Sequence, residues 1–192
     1  VLHEDKTVVQ RCGEIISEWL NGIGLKLKPS KTSICHTLHE HRFKLKKGQE
    51  APKDAKGDKG WHVLKPGFDF LGFNIRQHKV GKTQSKQGFK TIITPSKKAV
   101  KVHYERIAEV IEQHKNAPQA VLIGKLNPII KGWTGYHRAV CSKETFGKLD
   151  HLLWNKLRRW GYKRHPMKSK TWVNKKYWHT HEGNNWIFST GG

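Results

Sequence analysis

The sequence predicts an α+β fold, with short strands in the first half of the chain and helices in the second half. Residues 68–76 and 89–93 have the composition of strands. After Thr94, Pro95 and Ser96, apolar residues recur every three or four positions, which is typical of the buried face of a helix. The eight Trp, seven Phe and four Tyr among 192 residues exclude a fully disordered chain, since disordered chains lack aromatic residues.

The first half begins with a predicted helix. Its apolar residues recur at helical spacing, and they are Val8, Val9, Cys12, Ile15, Ile16, Trp19, Leu20 and Ile23. Asp5 is placed to cap the helix at its start, and Gly22 and Gly24 suit its end. Residues 25–28 and 33–36 predict two short strands around a turn. Residues 40–66 contain many lysines and are broken by Gly and Pro, so they predict an exposed basic loop.

The two strand-like segments predict a hairpin, and three helices follow it. The first helix has its apolar face at Val100, Tyr104, Ile107, Ile111 and His114. The second begins near Pro118, which suits a first helical turn, and Pro128 should kink it. The third is capped by Ser142. Its buried stripe is Phe146, Leu149, Leu153, Leu157 and Trp160.

The strong positive charge of the chain is the first indication of its function. Lys and Arg number 37 against 15 Asp and Glu, which gives a formal net charge of +22. A positive field of this size favours a polyanion as partner, above all nucleic acid. An anionic membrane surface would need a basic helix with an open apolar face, whereas these basic stretches are broken by Gly and Pro. A membrane span is excluded because the sequence has no run of eighteen apolar residues.

Disulfide and metal chemistry find little support in the sequence. Cys12, Cys35 and Cys141 lie far apart, and an odd number of cysteines without a Cys-x-x-Cys pair predicts reduced thiols. We therefore expect a reducing compartment, either a cytoplasm of bacterial type or an organelle. His179 and His181 are close in sequence, but two histidines without a third ligand do not predict a metal site.

The densest basic region is 148–176, where ten Lys and Arg stand against Asp150 alone. On the third helix, four of these cations fall on one side beside the apolar stripe, and they are Lys148, Lys156, Arg159 and Lys163. Aromatic residues are interleaved with the cations. Such a surface binds phosphates through its cations and stacks its rings on unpaired bases. The alternative is that the cations form a solvated face and that the tryptophans belong to the core.

Several motifs resemble one protein family. The run Gly132-Trp-Thr-Gly-Tyr-His-Arg138 resembles the signature of the maturase-specific domain of group II intron proteins. The later pattern Leu152-Leu-Trp-Asn-Lys-Leu-Arg-Arg-Trp160 agrees with this resemblance. Upstream, Gly24-Leu-Lys-Leu with Lys31-Thr resembles a reverse-transcriptase block, and Phe70-Leu-Gly-Phe73 resembles the next block, the primer grip. The motifs stand in the order found in the family.

The resemblance implies a partial reverse-transcriptase palm over 1–95 and an α-helical thumb and maturase domain over 96–176. Residues 177–192 would begin a DNA-binding region or form a linker. Proteins of this family hold structured intron RNA in its active fold, and the RNA with its magnesium ions performs the splicing. The implied partners are therefore group II intron RNA and target DNA. Magnesium would serve the ribozyme and the intact polymerase, and this chain itself needs no cofactor.

The expected site residues follow from the resemblance and from the basic surface, and none of them is catalytic. The expected RNA contacts are Lys31, Gly132, Trp133, Tyr136, Arg138, Lys148, Lys156, Arg158, Arg159, Lys163, Arg164, Lys168, Lys170, Lys175 and Lys176. The expected primer grip is Phe70, Leu71, Gly72 and Phe73.

The sequence departs from the family at the polymerase centre. In the family this centre is a Tyr-Xaa-Asp-Asp turn, whereas no two aspartates are adjacent in this chain. Residues 1–5 resemble the strand that leaves that turn, so we expect the turn to lie upstream of residue 1. Because polymerases hold two metal ions with paired carboxylates, we expect no polymerase activity from this chain alone. A general basic DNA-binding module is the alternative function.

Overall fold

The computed structural model describes residues 1–45, 48, 50–58, 61–181 and 183–190. The helices in these ranges are α1 (Lys6–Gly22), α2 (Lys97–Gln113), α3 (Gln119–His137), α4 (Lys143–Arg164) and α5 (Lys170–Tyr177). The strands are β1 (His41–Phe43), β2 (Lys56–Asp58), β3 (Trp61–Leu64), β4 (Phe68–Phe70), β5 (Phe73–Lys79), β6 (Phe89–Pro95), β7 (Trp178–His181) and β8 (Asn184–Phe188). The mixture of helices and small sheets confirms the α+β class, while the assignment to a palm and a thumb stays a prediction.

The strands form three small sheets in two compact units. The first sheet is antiparallel with the order β1-β3-β2, the second has the order β4-β5-β6, and the third is the antiparallel pair β7-β8. One unit consists of Val1–Asp69 and Ile75–Ile92, and the other consists of Phe70–Asn74 and Ile93–Gly192. The domain limits predicted at 95 and 176 stay predictions.

In the first unit, α1 forms where the apolar spacing predicts a helix. The Oδ1 atom of Asp5 accepts a hydrogen bond from the backbone N–H of Thr7 at 2.8 Å, which confirms the predicted cap. The helix ends at Gly22, and Gly24 follows with a φ of +79°, a conformation that glycine adopts without strain. No residue of α1 is buried in this unit.

Two predictions for the segment between α1 and β4 are wrong. Residues 25–28 and 33–36 form no strand, and Pro29–Lys31 between them is a single 3-10 turn. Residues 40–66 are not simply a loop, because β1, β2 and β3 pair there into the first sheet. Leu64 at the end of β3 is only 4% exposed, and its burial stabilises a sheet that the surrounding lysines do not predict. Five residues of this segment, Lys46, Lys47, Gln49, Lys59 and Gly60, lie outside the described ranges.

The predicted hairpin is confirmed, because β5 and β6 are neighbours in the second sheet. The strand predicted over 68–76 is interrupted, however, since Leu71 and Gly72 form a turn between β4 and β5. Both residues have a positive φ, +47° for Leu71 and +84° for Gly72. The side chains of Phe70 and Leu71 are exposed, so this turn presents apolar surface.

The second unit has a helical core. Its buried apolar residues come from four helices and β7, and they are Ile107, Val110, Ile111, Leu122, Leu126, Leu157, Trp160, Val173, Tyr177 and Trp178. The three helices predicted for this region are confirmed as α2, α3 and α4. Pro118 precedes α3 as its N-cap residue, and α3 continues through Pro128 as one helix. Ser142 stands at the N-cap of α4, but its side chain makes no capping hydrogen bond.

The three cysteines are free thiols, as the sequence predicts. Within the described ranges, no helix combines the length and the apolar character that crossing a membrane requires. The sequence does not predict α5 or the hairpin of β7 and β8, which complete the second unit.

Candidate nucleic-acid interface

A basic groove lies between the C-terminal parts of α2 and α4 in the second unit, and its volume is about 360 Å³. Its cations are Lys115, Lys156, Arg159, Lys163 and Arg164. Glu112 is the one acidic residue among the described residues that line it. The buried side chains of Ile111 and Trp160 supply apolar lining and connect the groove to the core. Because one acid stands against five cations, the groove has a positive potential and attracts anions such as phosphate. We call it the α2–α4 groove.

Three cations of α4 lie along one side of this groove. Lys156, Arg159 and Lys163 are three and four residues apart, which places them on the same helix face. Arg159 and Lys163 are exposed, while Lys156 is half-buried with its Nζ atom 5.5 Å from the centroid of the Tyr104 ring. The row of cations that the sequence predicts beside the apolar stripe of α4 therefore faces a concave surface.

Arg164 has a different role, because it joins α4 to the end of α2. Its Nη1 atom donates hydrogen bonds to the carbonyls of Lys115 at 2.9 Å and of Ala117 at 2.8 Å. The Nε1 atom of Trp160 donates to the carbonyl of His114 at 3.1 Å. These three hydrogen bonds attach the C-terminal part of α4 to the segment that follows α2.

A stack of aromatic and imidazole rings lies between α2 and α3. The Trp133 ring contacts His103 at a centroid distance of 4.4 Å and His137 at 4.3 Å. His137 is only 2% exposed. Burial lowers the pKa of both imidazoles, and for His103 the nearby His137 lowers the pKa further. Both histidines are therefore uncharged at neutral pH and act as packing residues.

The region that contains the groove and this ring stack matches a known family. The family model described as the group II intron, maturase-specific domain, matches residues 100–178. Residues 100–178 are thus similar to a group II intron maturase-specific domain, and we call them the maturase domain. None of the curated proteins matches the chain. The maturase domain extends from α2 to the first residue of β7, and the reverse-transcriptase resemblance of residues 1–95 stays a prediction.

The maturase domain contains every expected RNA contact except Lys31, which is exposed in the first unit. Four of these residues meet in the α2–α4 groove, and they are Lys156, Arg159, Lys163 and Arg164. Lys115 joins them there, although the sequence does not single it out. Eight further expected contacts are exposed outside the groove, and they are Gly132, Tyr136, Arg138, Lys148, Lys168, Lys170, Lys175 and Lys176. Whether any of them touches RNA stays a prediction.

Arg158 is engaged inside the maturase domain. Its Nε and Nη2 atoms donate hydrogen bonds to the hydroxyl of Tyr162 at 2.9 and 2.6 Å, and its guanidinium lies 4.3 Å from the centroid of the Trp154 ring. The Tyr162 hydroxyl in turn donates to Oδ1 of Asn174 at 3.2 Å. Arg158 therefore helps to connect α4 with α5, and these contacts limit its freedom to bind a phosphate.

Trp172 on α5 is the centre of a second cationic surface. The Nζ atoms of Lys168 and Lys176 lie 5.4 and 5.0 Å from its ring centroid, within the range of cation–π attraction. His165 contacts the same ring edge-on at 5.0 Å. The pKa of His165 is lowered first by burial and then by the charges of Lys176, Arg164 and Lys168. The charges of Lys176, Arg164 and Lys168 give this surface a positive local potential.

Two aromatic residues of the maturase signature have packing contacts with the predicted primer-grip segment. The hydroxyl of Tyr136 donates a hydrogen bond to the carbonyl of Leu71 at 2.9 Å, and its ring lies 5.0 Å from that of Phe73. His137 contacts Phe73 edge-on at 4.8 Å. The carbonyl of Gly72 accepts a hydrogen bond from the backbone N–H of Ser96 at 2.8 Å. The signature therefore holds the 70–73 turn in place, which the sequence does not reveal because the two motifs are more than sixty residues apart.

A metal site has no geometric support in the described part of the chain, since no group of three or more His, Cys, Asp or Glu there is arranged to hold an ion. His179 and His181 both lie on β7. The magnesium ions that the resemblance implies belong to the intron RNA and to the polymerase centre, so no residue here is assigned to them.

Proposed function

We propose that this chain binds structured group II intron RNA and assists the splicing of that intron. The observation that carries the proposal is the α2–α4 groove inside the maturase domain. Lys156, Arg159 and Lys163 line it, and none of them forms an ion pair with a described residue. Their charges are therefore available to an anion from outside the chain.

The proposed role requires binding and no catalysis by the protein. A folded RNA presents closely spaced phosphates, and each phosphate that a Lys or Arg neutralises releases counterions into solution. A protein that binds only the folded form of the RNA stabilises that form by mass action. The splicing chemistry itself is then performed by the intron RNA with its magnesium ions.

The test of this function is a competition experiment combined with a splicing assay. Labelled intron RNA bound to the chain is challenged with the same RNA unlabelled and with duplex DNA of equal length. We expect the RNA to compete at a much lower concentration than the DNA. We also expect the chain to support splicing at magnesium concentrations at which the RNA alone does not splice. Equal competition by duplex DNA would identify a general basic nucleic-acid-binding module instead.

A pair of matched variants tests the groove as the RNA site. One variant carries Lys156→Glu, Arg159→Glu and Lys163→Glu, and the control carries Lys82→Glu, Lys86→Glu and Lys90→Glu at exposed positions of the first unit. Both variants change the net charge by the same amount, so a difference between them reports local contacts. We expect only the groove variant to lose RNA binding and splicing while its circular dichroism is unchanged. Equal losses in both variants would mean that the RNA binds elsewhere.

A further inference from the structure

The hairpin of β7 and β8 is firmly attached to the second unit. The rings of Trp178 and Phe188 contact each other at 5.2 Å, and Phe188 also contacts the buried Trp160 at 5.8 Å. Gln119 on α3 donates two hydrogen bonds through Nε2, to the carbonyl of Tyr177 at 2.9 Å and to that of Ser189 at 3.1 Å. Both ends of the hairpin are therefore attached to the core of the second unit, and these attachments hold the residues between them.

Trp186 in this hairpin has an unusual backbone and an exposed side chain. Its φ is +63°, a left-handed conformation that is a genuine outlier for a bulky residue. The strand pairing shifts between His179 and His181, so this part of β8 is irregular. Positions of this kind in bulges normally hold Gly. The indole of Trp186 is 61% exposed, so packing within the chain does little to offset the backbone strain.

We propose that Trp186 is a stacking platform for an unpaired nucleobase of the bound RNA. This inference rests on the proposed function. A strained and exposed indole has no evident use in packing, whereas its ring face stacks on any base. A cation also lies in this region, which suits RNA as the ligand. The Nζ atom of Lys176 lies 5.8 Å from the centroid of the Tyr177 ring. Tyr177 in turn contacts Phe188 at 6.2 Å, and Lys176 directly precedes the base of the hairpin in sequence, so it adds positive charge to this region.

The variant Trp186→Gly separates structure from function, because glycine adopts a positive φ without strain. We expect its thermal midpoint to be no lower than that of the wild type. The probe is an RNA hairpin with an unpaired flank, compared with a blunt RNA duplex of equal length. We expect the affinity for the flanked RNA to fall about fivefold to a hundredfold, the range expected for one stacked base. The affinity for the blunt duplex and the salt dependence of binding should not change, since no phosphate contact is lost.

Two controls complete the experiment. Trp186→Phe keeps an aromatic ring and should retain most of the affinity for the flanked RNA. Trp19→Ala removes an indole of similar exposure, 65%, from the first unit and should leave the affinity unchanged. If Trp186→Gly binds the flanked RNA as tightly as the wild type, or if Trp19→Ala weakens binding equally, the proposal for Trp186 is wrong. If the wild-type chain binds folded intron RNA but neither probe, the proposal for Trp186 is likewise wrong, whereas a chain that does not bind folded intron RNA contradicts the proposed function itself, so the two failures are distinguishable.

Discussion

Hydrogen bonds of individual side chains determine which cations of α4 are available to bind a ligand. Arg164 is bonded to the carbonyls that follow α2, and Arg158 is bonded to Tyr162, whereas Arg159 and Lys163 are exposed in the groove or at its rim. The sequence predicts the row of cations because that row depends only on helical spacing. It does not separate bonded from free arginines, because the partners of Arg164 lie 47 and 49 positions away in sequence.

The internal role of Arg164 leads to a prediction about stability. Arg164→Ala removes two charge-assisted hydrogen bonds and leaves the carbonyls of Lys115 and Ala117 without this donor. We expect the free energy of unfolding to fall by about 2 kcal/mol. The matched variant Arg159→Ala removes an exposed guanidinium and should change it by less than about 0.5 kcal/mol. Urea unfolding of both variants measures the difference, and equal effects would contradict the assigned roles.

The buried imidazoles of His103 and His137 should make the second unit sensitive to acid. Burial lowers the pKa of both below the ordinary value of 6.5, so the unfolded chain binds protons at a pH at which the folded chain does not. The stability contributed by these groups is complete above about pH 6.5 and is lost as the pH falls below that value. We expect the free energy of unfolding, measured in urea, to decrease from about pH 7 to pH 5.

The control for this pH dependence is His103→Gln, which removes one of the two imidazoles that contact Trp133. The variant is expected to be less stable at pH 7, because the stack on Trp133 is lost, but its stability should fall less steeply with acid. Parallel pH profiles for the variant and the wild type would show that His103 does not contribute to the acid sensitivity.

At the level of secondary structure, long elements are predictable from the sequence and short ones are not. The helices α2 and α4 follow from apolar residues that repeat over four or more turns. The first sheet has strands of only three or four residues, and its pairing depends on contacts such as the burial of Leu64. The hairpin of β7 and β8 depends on the packing of Phe188 against the core, which no local pattern encodes.

The packing of α5 against α4 depends on the absence of a side chain at Gly161. A Cβ atom there would lie 3.0 Å from Cγ1 of Val173 and 3.3 Å from Cδ2 of Tyr177, and both of these residues are buried. Gly147 on the same helix has no atom within 4 Å of the equivalent position. Close-packed neighbours do not move aside without strain, so the two positions should respond differently to alanine.

We therefore expect Gly161→Ala to lower the thermal midpoint of the chain. Gly147→Ala should instead raise the free energy of unfolding by about 0.5–1 kcal/mol, because alanine has the higher helix propensity. Thermal unfolding followed by circular dichroism measures both effects. Stabilisation by both substitutions would show that α5 does not pack closely on α4 at this point.

Across the whole molecule, the positive charge is largely unpaired. The ion pairs between described residues lie in α1, near β1 and in α2, and none involves a described residue of α3, α4 or α5. Apart from Arg158 and Arg164, which are bonded within the chain, the cations of α3, α4 and α5 are therefore available to external anions. Charge alone predicts a polyanion as partner, and the family match directs the choice to intron RNA. The groove could not be located from the sequence, because it depends on which helix packs beside α4.

The salt dependence of RNA binding tests the central claim most directly. If the wild-type chain neutralises about six phosphates, the logarithm of its affinity should fall with the logarithm of salt concentration with a slope of about −4 to −5. The variant with Glu at 156, 159 and 163 should have a slope shallower by about two to three units, while the control with Glu at 82, 86 and 90 should keep the wild-type slope. A wild-type slope shallower than about −2, or the same slope in the groove variant, would contradict phosphate binding in the α2–α4 groove.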